Sequence, residues 1–194
     1  MLRGIVGFVK RNEGERMKLN SKTLKILSRE HENILKVIDA LELEIEQLKN
    51  KDIDTIFFKK VIDFIRNYVD KFHHAKEEDI LFKEFNKCAE EGCIHCNPVE
   101  QMLFEHDEGR KSVKMMELGM DEREKNKLIE GARNYIQLIR EHIYKEDNIL
   151  YPMADEALSE DVQKTMLEKF NKINFAKKKQ VEGFEKFANE MSEK

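Results

Sequence analysis

The 194-residue chain predicts an all-α protein: an up-down-up-down four-helix bundle with an additional C-terminal helix. Three observations predict it. Apolar residues recur at three- and four-residue steps along most of the chain. Helix breakers are scarce, with two prolines and eight glycines, while Glu, Lys, Leu and Ile dominate and favour long helices. Finally, the chain echoes itself: HHAKEEDILFK from His73 to Lys83 and HIYKEDNILYP from His142 to Pro152. Laid on each other, His73 matches His142, Lys76 matches Lys145, Glu77 matches Glu146, Leu81 matches Leu150 and Phe82 matches Tyr151.

The composition also excludes. A net charge of -4 argues against nucleic acid, whose phosphates need a basic surface. No apolar run approaches the length of a membrane span. The start, MLRGIVGFVKR, is too short and too soon charged for a signal peptide, so a cytoplasmic location is expected. Three cysteines, all within Cys88 to Cys96, do not make a secreted disulfide framework.

Residues 1–20 read as an N-terminal arm, 21–157 as the bundle and 158–194 as a C-terminal helix packed on it. The first helix, about Ser21 to Lys49, has the stripe Leu24, Leu27, His31, Ile34, Leu35, Ile38, Leu41 and Ile45. The second starts near Asp54, a good N-cap, with Ile62, Ile65, Val69, His73, Glu77 and Ile80 on its buried face. His74 and Glu78 lie about a hundred degrees round that helix, so His73 and Glu77 are preferred. The third begins with Asn97 as N-cap, Pro98 at the first helical position and Glu100 as a capping-box carboxylate. Its stripe is Val99, Met102, His106, Gly109, Val113 and Met116, and Gly119 is a natural stop. Asp121 with Glu124 opens the fourth, whose stripe is Tyr135, Leu138, His142, Glu146, Ile149 and Met153, with Pro152 near its end. Ser159 caps the last helix, running to about Ala188, where Phe175, Phe184 and Phe187 read as docking residues.

Short connections make neighbouring helices antiparallel. His31 and His106 then lie ~12–14 Å from one end of their helices. His73 with Glu77, and His142 with Glu146, fall at a comparable depth on helices running the other way. Within each pair the i,i+4 spacing puts imidazole and carboxylate on one face. Four imidazoles and two carboxylates at one level need a shared partner, because buried carboxylates are costly unless paired or coordinated. A structural zinc wants four ligands. Six nitrogen and oxygen ligands with bridging carboxylates suit two iron or manganese ions with positions left open.

This order resembles the hemerythrin family: a histidine on the first helix, His-x-x-x-Glu on the second, a histidine in EHDEGR on the third, and His-x-x-x-Glu followed by LYP on the fourth. More narrowly it resembles the bacterial and archaeal hemerythrin-like, or HHE cation-binding, domains, over about Leu24 to Ala157. The resemblance implies a non-haem diiron site. His31, His73, His106 and His142 would be terminal ligands and Glu77 and Glu146 bridges, with manganese or zinc as substitutes for iron. Oxygen-carrying members have a further histidine one turn after the third-helix ligand, where this chain has Arg110. That leaves a position for water, a carboxylate such as Glu32 or Glu105, or a small ligand. It points away from oxygen storage toward binding or sensing oxygen, nitric oxide or peroxide, or iron handling, with a redox partner protein. A diiron oxidase or peroxidase is the enzymatic alternative. The ferritin-type bundles use Glu-x-x-His instead. A metal-stabilised interaction domain is the bland one. Separately, Cys93, His95 and Cys96, with Cys88 nearby, form a candidate second metal or redox site, weighed against ordinary loop thiols.

Overall fold

The computed structural model describes residues 19–48 and 50–193. They are all-helical, with no strand among the described residues. Of the N-terminal arm expected over 1–20, all but Leu19 and Asn20 lie outside them. The backbone amides of Asn20 and Ser21 donate to the Asp155 carboxylate, which fixes the entry to the first helix.

Helix α1 spans Lys22–Gln47, with Ser21 as its N-cap. Helix α2 spans Thr55–Phe64, and the Asp54 carboxylate caps it by accepting from the Ile56 and Phe57 amides. The rod then continues without a break through two π-helical stretches, π1 (Ile65–His74) and π2 (Glu77–Leu81), into α3 (Phe82–Glu90). Helix α4 spans Val99–Asp121 and α5 Lys125–Lys145. A third π-helical stretch, π3 (Glu146–Leu150), leads into α6 (Tyr151–Ala157). Helix α7 spans Glu160–Ser192, and Ser159 caps it by accepting from the Val162 amide.

Several expected helix ends differ. Asn97 does serve the third helix, but it accepts from the Val99 amide and Pro98 takes the cap position itself. Gly119 is not a stop: α4 runs through it. A Cβ there would lie 2.3 Å from the Leu128 backbone nitrogen, and one at Gly131 2.7 Å from that of Met116. These glycines let α4 and α5 touch backbone to backbone. The reversal falls at Glu122 to Glu124, where Arg123 takes a left-handed φ of 59°. No side chain caps α5, so the expected Asp121–Glu124 box does not form. Pro152 lies near the end of the fourth rod, as expected, five residues before Ala157. It sits at the first turn of α6, where a missing N–H is harmless.

The apolar stripes of the first three helices are buried as expected. They build two clusters, one on each side of a polar layer. Along α1 the chain passes from Leu24 and Leu27 in one cluster, through His31, to Ile34 and Ile38 in the other. Along the second rod it passes back, from Val69 through His73 and Glu77 to Ile80 and Phe85. Helix α4 repeats the first direction, from Met102 through His106 to Val113, and the fourth rod the second, from Ile139 through His142 to Leu150. Helix α7 closes the side, with Phe170 fully buried and Phe184 and Phe187 packed around Phe64. Phe175 does not dock: it is 84 % exposed.

Candidate metal centre

The polar layer is where the three π-helical stretches lie. A π turn closes i→i+5 bonds and so rotates the following residues relative to an α-helix, and such turns gather at functional sites. The rotation decides which side chains reach the layer. Past Glu146 an α-helix would bury Ile149; instead Ile149 is 48 % exposed and Leu150 and Tyr151 are buried. On the second rod Phe72, His73 and His74 are buried in succession, followed by Lys76 and Glu77.

All six side chains singled out in the sequence are buried and meet. His31 Nε2 lies 3.0 Å from His73 Nε2, and His106 Nε2 lies 3.0 Å from His142 Nε2. Glu146 reaches both pairs, at 3.2 Å from His31 Nε2 and 3.2 Å from His142 Nε2. Glu77 Oε2 does likewise, 3.6 Å from His73 Nε2 and 3.7 Å from His106 Nε2. The layer thus holds two imidazole pairs with two carboxylates slung between them.

The outer nitrogens explain the aim of the rings. Each Nδ1 meets a carboxylate: His73 with Glu30 at 2.9 Å, His31 with Asp147 at 3.0 Å, His142 with Glu105 at 2.9 Å and His106 with Glu78 at 2.7 Å. An ionised carboxylate only accepts, so each Nδ1 is the donor. The bonds form a closed ring, running from the second rod to α1, to the fourth rod, to α4 and back. Lys76 donates to Glu30 and Lys145 to Glu105, while Arg110 holds Glu78 at 2.7 Å. Carboxylates placed in this way orient metal-ligating histidines and raise their basicity.

The internal echo becomes structural here. Each half supplies a Glu-His pair from one helix (Glu30-His31, Glu105-His106) and a His-x-x-Lys-Glu-acid run from the next (His73 to Glu78, His142 to Asp147). Corresponding residues make corresponding bonds. Besides Arg110, which has no counterpart on Asp147, two positions facing the layer break the symmetry. Tyr151, matched by Phe82, donates to Glu77 Oε1 at 2.5 Å, with no counterpart on Glu146. His74, matched by Ile143, stacks on His106 with ring centroids 3.7 Å apart and 12° between planes.

With their donors directed outward, neutral rings present lone pairs inward. Two lone pairs cannot face each other at 3.0 Å without a positive centre between them. In the protein by itself a proton supplies it. Burial opposes charge on His31, but Asp147 and Glu146 push its pKa up to about 9; burial and the charge on His31 drive His73 well down. The other pair behaves alike, His142 up against its burial through Glu146 and Glu105, and His106 down through burial despite Glu78. Burial and then the Glu146 charge push Glu77 well up, whereas Glu146, although buried, is held ionised by His142 and His31. Still, Glu77 Oε2 and both Glu146 oxygens lack a hydrogen-bond partner; the ring contacts at 3.2 Å are close but outside hydrogen-bond geometry. Unpaired buried carboxylate oxygens facing imidazole lone pairs are the donor set of a borderline divalent cation.

Donor atoms close enough for one ion fall into two groups: His31, His73, Glu77 and Glu146; and His74, His106 and His142. His74 was not among the expected ligands, because a straight α-helix carries it off the buried face. Glu105 is occupied with His142, Lys145 and Gln101, and Glu32 is solvent-exposed, so neither fills the position left by Arg110. The expected cysteine site does not gather as an ion site among the described residues. Cys88 is buried near the Ala157 carbonyl, while Cys93, His95 and Cys96 face solvent. A cavity of about 190 Å³ leads to the His106–His142 side, walled by His74, Arg110, Tyr135 and Leu138.

Helices throughout and a buried layer of imidazoles and carboxylates define a helical metal-binding domain. The family model of the Hemerythrin HHE cation binding domain matches residues 22–154, and the chain belongs to that family. No curated protein and no solved structure matches the chain. No helix among the described residues is long and apolar enough to cross a membrane.

Proposed function

We propose that this chain is a non-haem two-iron protein that binds or senses a small molecule such as oxygen, nitric oxide or peroxide, in an up-down-up-down four-helix bundle with α7 packed alongside. The observation that carries the reading is the closed ring of Nδ1–carboxylate bonds, which turns four Nε2 atoms onto two shared carboxylates. His31 with His73 would hold one ion and His106 with His142 the other, with Glu77 and Glu146 bridging. Iron would supply reversible one-electron chemistry and positions for a small ligand. Manganese or zinc would fit the same donors without that chemistry.

The chain's own residues do the rest. The four acceptor carboxylates fix the tautomers. The apolar clusters above and below exclude water. The Tyr151 hydroxyl holds Glu77 Oε1, leaving Oε2 free for the bridge. The cavity favours a small-molecule role over a purely structural ion, because it brings a ligand of a few atoms to the His106–His142 side. Anaerobic purification with metal counting and spectra before and after air tests the reading. Two irons per chain with an iron charge-transfer band that changes in air is the expected result. One zinc and no spectral response, unaltered in His106→Ala and His142→Ala, would sink it.

A further inference from the structure

We propose that His74 is a further protein ligand to the ion held by His106 and His142, and the one exchangeable imidazole of the centre. It covers the coordination position that faces the cavity and gives way to an incoming anion or diatomic molecule. The inference rests on the two-ion reading above and adds a ligand to it.

Position is the first argument. A ring nitrogen of His74 groups with those of His106 and His142, all within 4.8 Å of one another, and the ring both stacks on His106 and walls the cavity. Unmet bonding is the second. His74 is buried, and neither of its nitrogens has a hydrogen-bond partner. A buried imidazole with two idle nitrogens is costly unless something is to be bound.

Exchangeability follows from what His74 lacks. The other four imidazoles are each held by a carboxylate at 2.7–3.0 Å. The acid nearest His74 is Asp70, whose Oδ1 lies 3.7 Å from Nδ1 and is engaged by Arg110 at 2.8 Å. Arg110 therefore stands where an oxygen carrier has a histidine and also takes away the carboxylate that would fix His74. Of the five rings, His74 is the one without an anchor, and it lines the cavity beside His106 and His142.

The internal symmetry supplies the test. Without His74 the two ions have like donor sets, two imidazoles and two bridging carboxylates each. With it they differ. The fully loaded, anaerobic iron-57 protein is therefore expected to give two distinct Mössbauer doublets, and His74→Phe, which keeps a stacked ring, to give one. Azide, as probe, is expected to bind the Phe variant at least tenfold more tightly or faster, with two irons retained. Two irons in both proteins with unchanged spectra and azide binding would overturn the role of His74 and leave the two-ion reading standing. Failure of the parent protein to hold two irons would overturn that reading first. Should the Phe variant not fold, His74→Leu takes its place and is judged by the same change in spectrum and azide binding against the parent.

Discussion

At the scale of single residues, the centre is a problem of protons. His31 has a folded pKa of about 9, above the 6.5 of the free side chain. Its contribution to the metal-free protein is therefore fully present below pH ~6.5 and is lost as pH rises through ~9. Glu105 runs the other way. Burial opposes its charge, but His142, Lys145 and Gln101 hold its pKa at about 2. Its contribution is present above ~4.5 and lost as pH falls through ~2. Thermal melts of the metal-free chain should peak between those limits, and Asp147→Asn should flatten the alkaline side. Metal must displace the proton that His31 holds up to about pH 9, so loading near pH 7 should release at least one proton. Calorimetry in buffers of different ionisation enthalpy measures this; release of none would contradict the proton arrangement. Glu105→Gln removes the negative charge from the acceptor of His142 Nδ1 and should weaken metal binding ~10–100-fold, read by chelator competition.

At the scale of elements, much was legible. Stripes at helical spacing put His31, His73, Glu77, His106, His142 and Glu146 on buried faces, and they are buried in one layer, because such a layer must continue the apolar face of each helix. The rest was hidden by winding. Ile149 and His74 were both placed on the assumption of 3.6 residues per turn, and π3 turns Ile149 out while π1 brings His74 in. The adjacent pair His73-His74, where the second copy has His142-Ile143, was the one signal that could have found the extra ring. Gly119 was misread because a glycine that ends a helix and one that lets a backbone approach look alike in sequence. Gly119→Ala should cost about 3 kcal/mol or more by forcing α4 off α5. Gly183→Ala, mid-helix with nothing within 4 Å of its Cβ, should gain about 0.5–1 kcal/mol. Urea unfolding of the two variants compares them directly, and equal effects would refute the close-approach account.

At the scale of the whole molecule, the centre ties together helices far apart in sequence. Ions bound by the folded state alone stabilise it by mass action, so chelation should lower the melting temperature and reloading restore it. Helix α7 lies outside the family match at 22–154, yet its Phe170 is fully buried and sits beside the buried Lys76, whose ammonium is 5.4 Å from the ring. Phe170→Ala should cost about 3–5 kcal/mol, and Phe175→Ser close to nothing. A melt showing the reverse order would mean that α7 packs by its other face.

The repeated Glu-His and His-x-x-Lys-Glu-acid runs have a consequence for ancestry and for design. A single helical hairpin, residues 22–90, carries one of every kind of part that the ring of bonds uses: it closes its own His73–Glu30 bond, but His31 needs Asp147 and Glu78 needs His106 from the other hairpin. Two identical hairpins would therefore complete each other's ring as a homodimer. Fusing them into one chain frees each copy to diverge, and two of the places where the copies differ, Tyr151 against Phe82 and His74 against Ile143, face the layer. In such a dimer the two halves of the layer would be equal; in the fused chain they are chemically distinct.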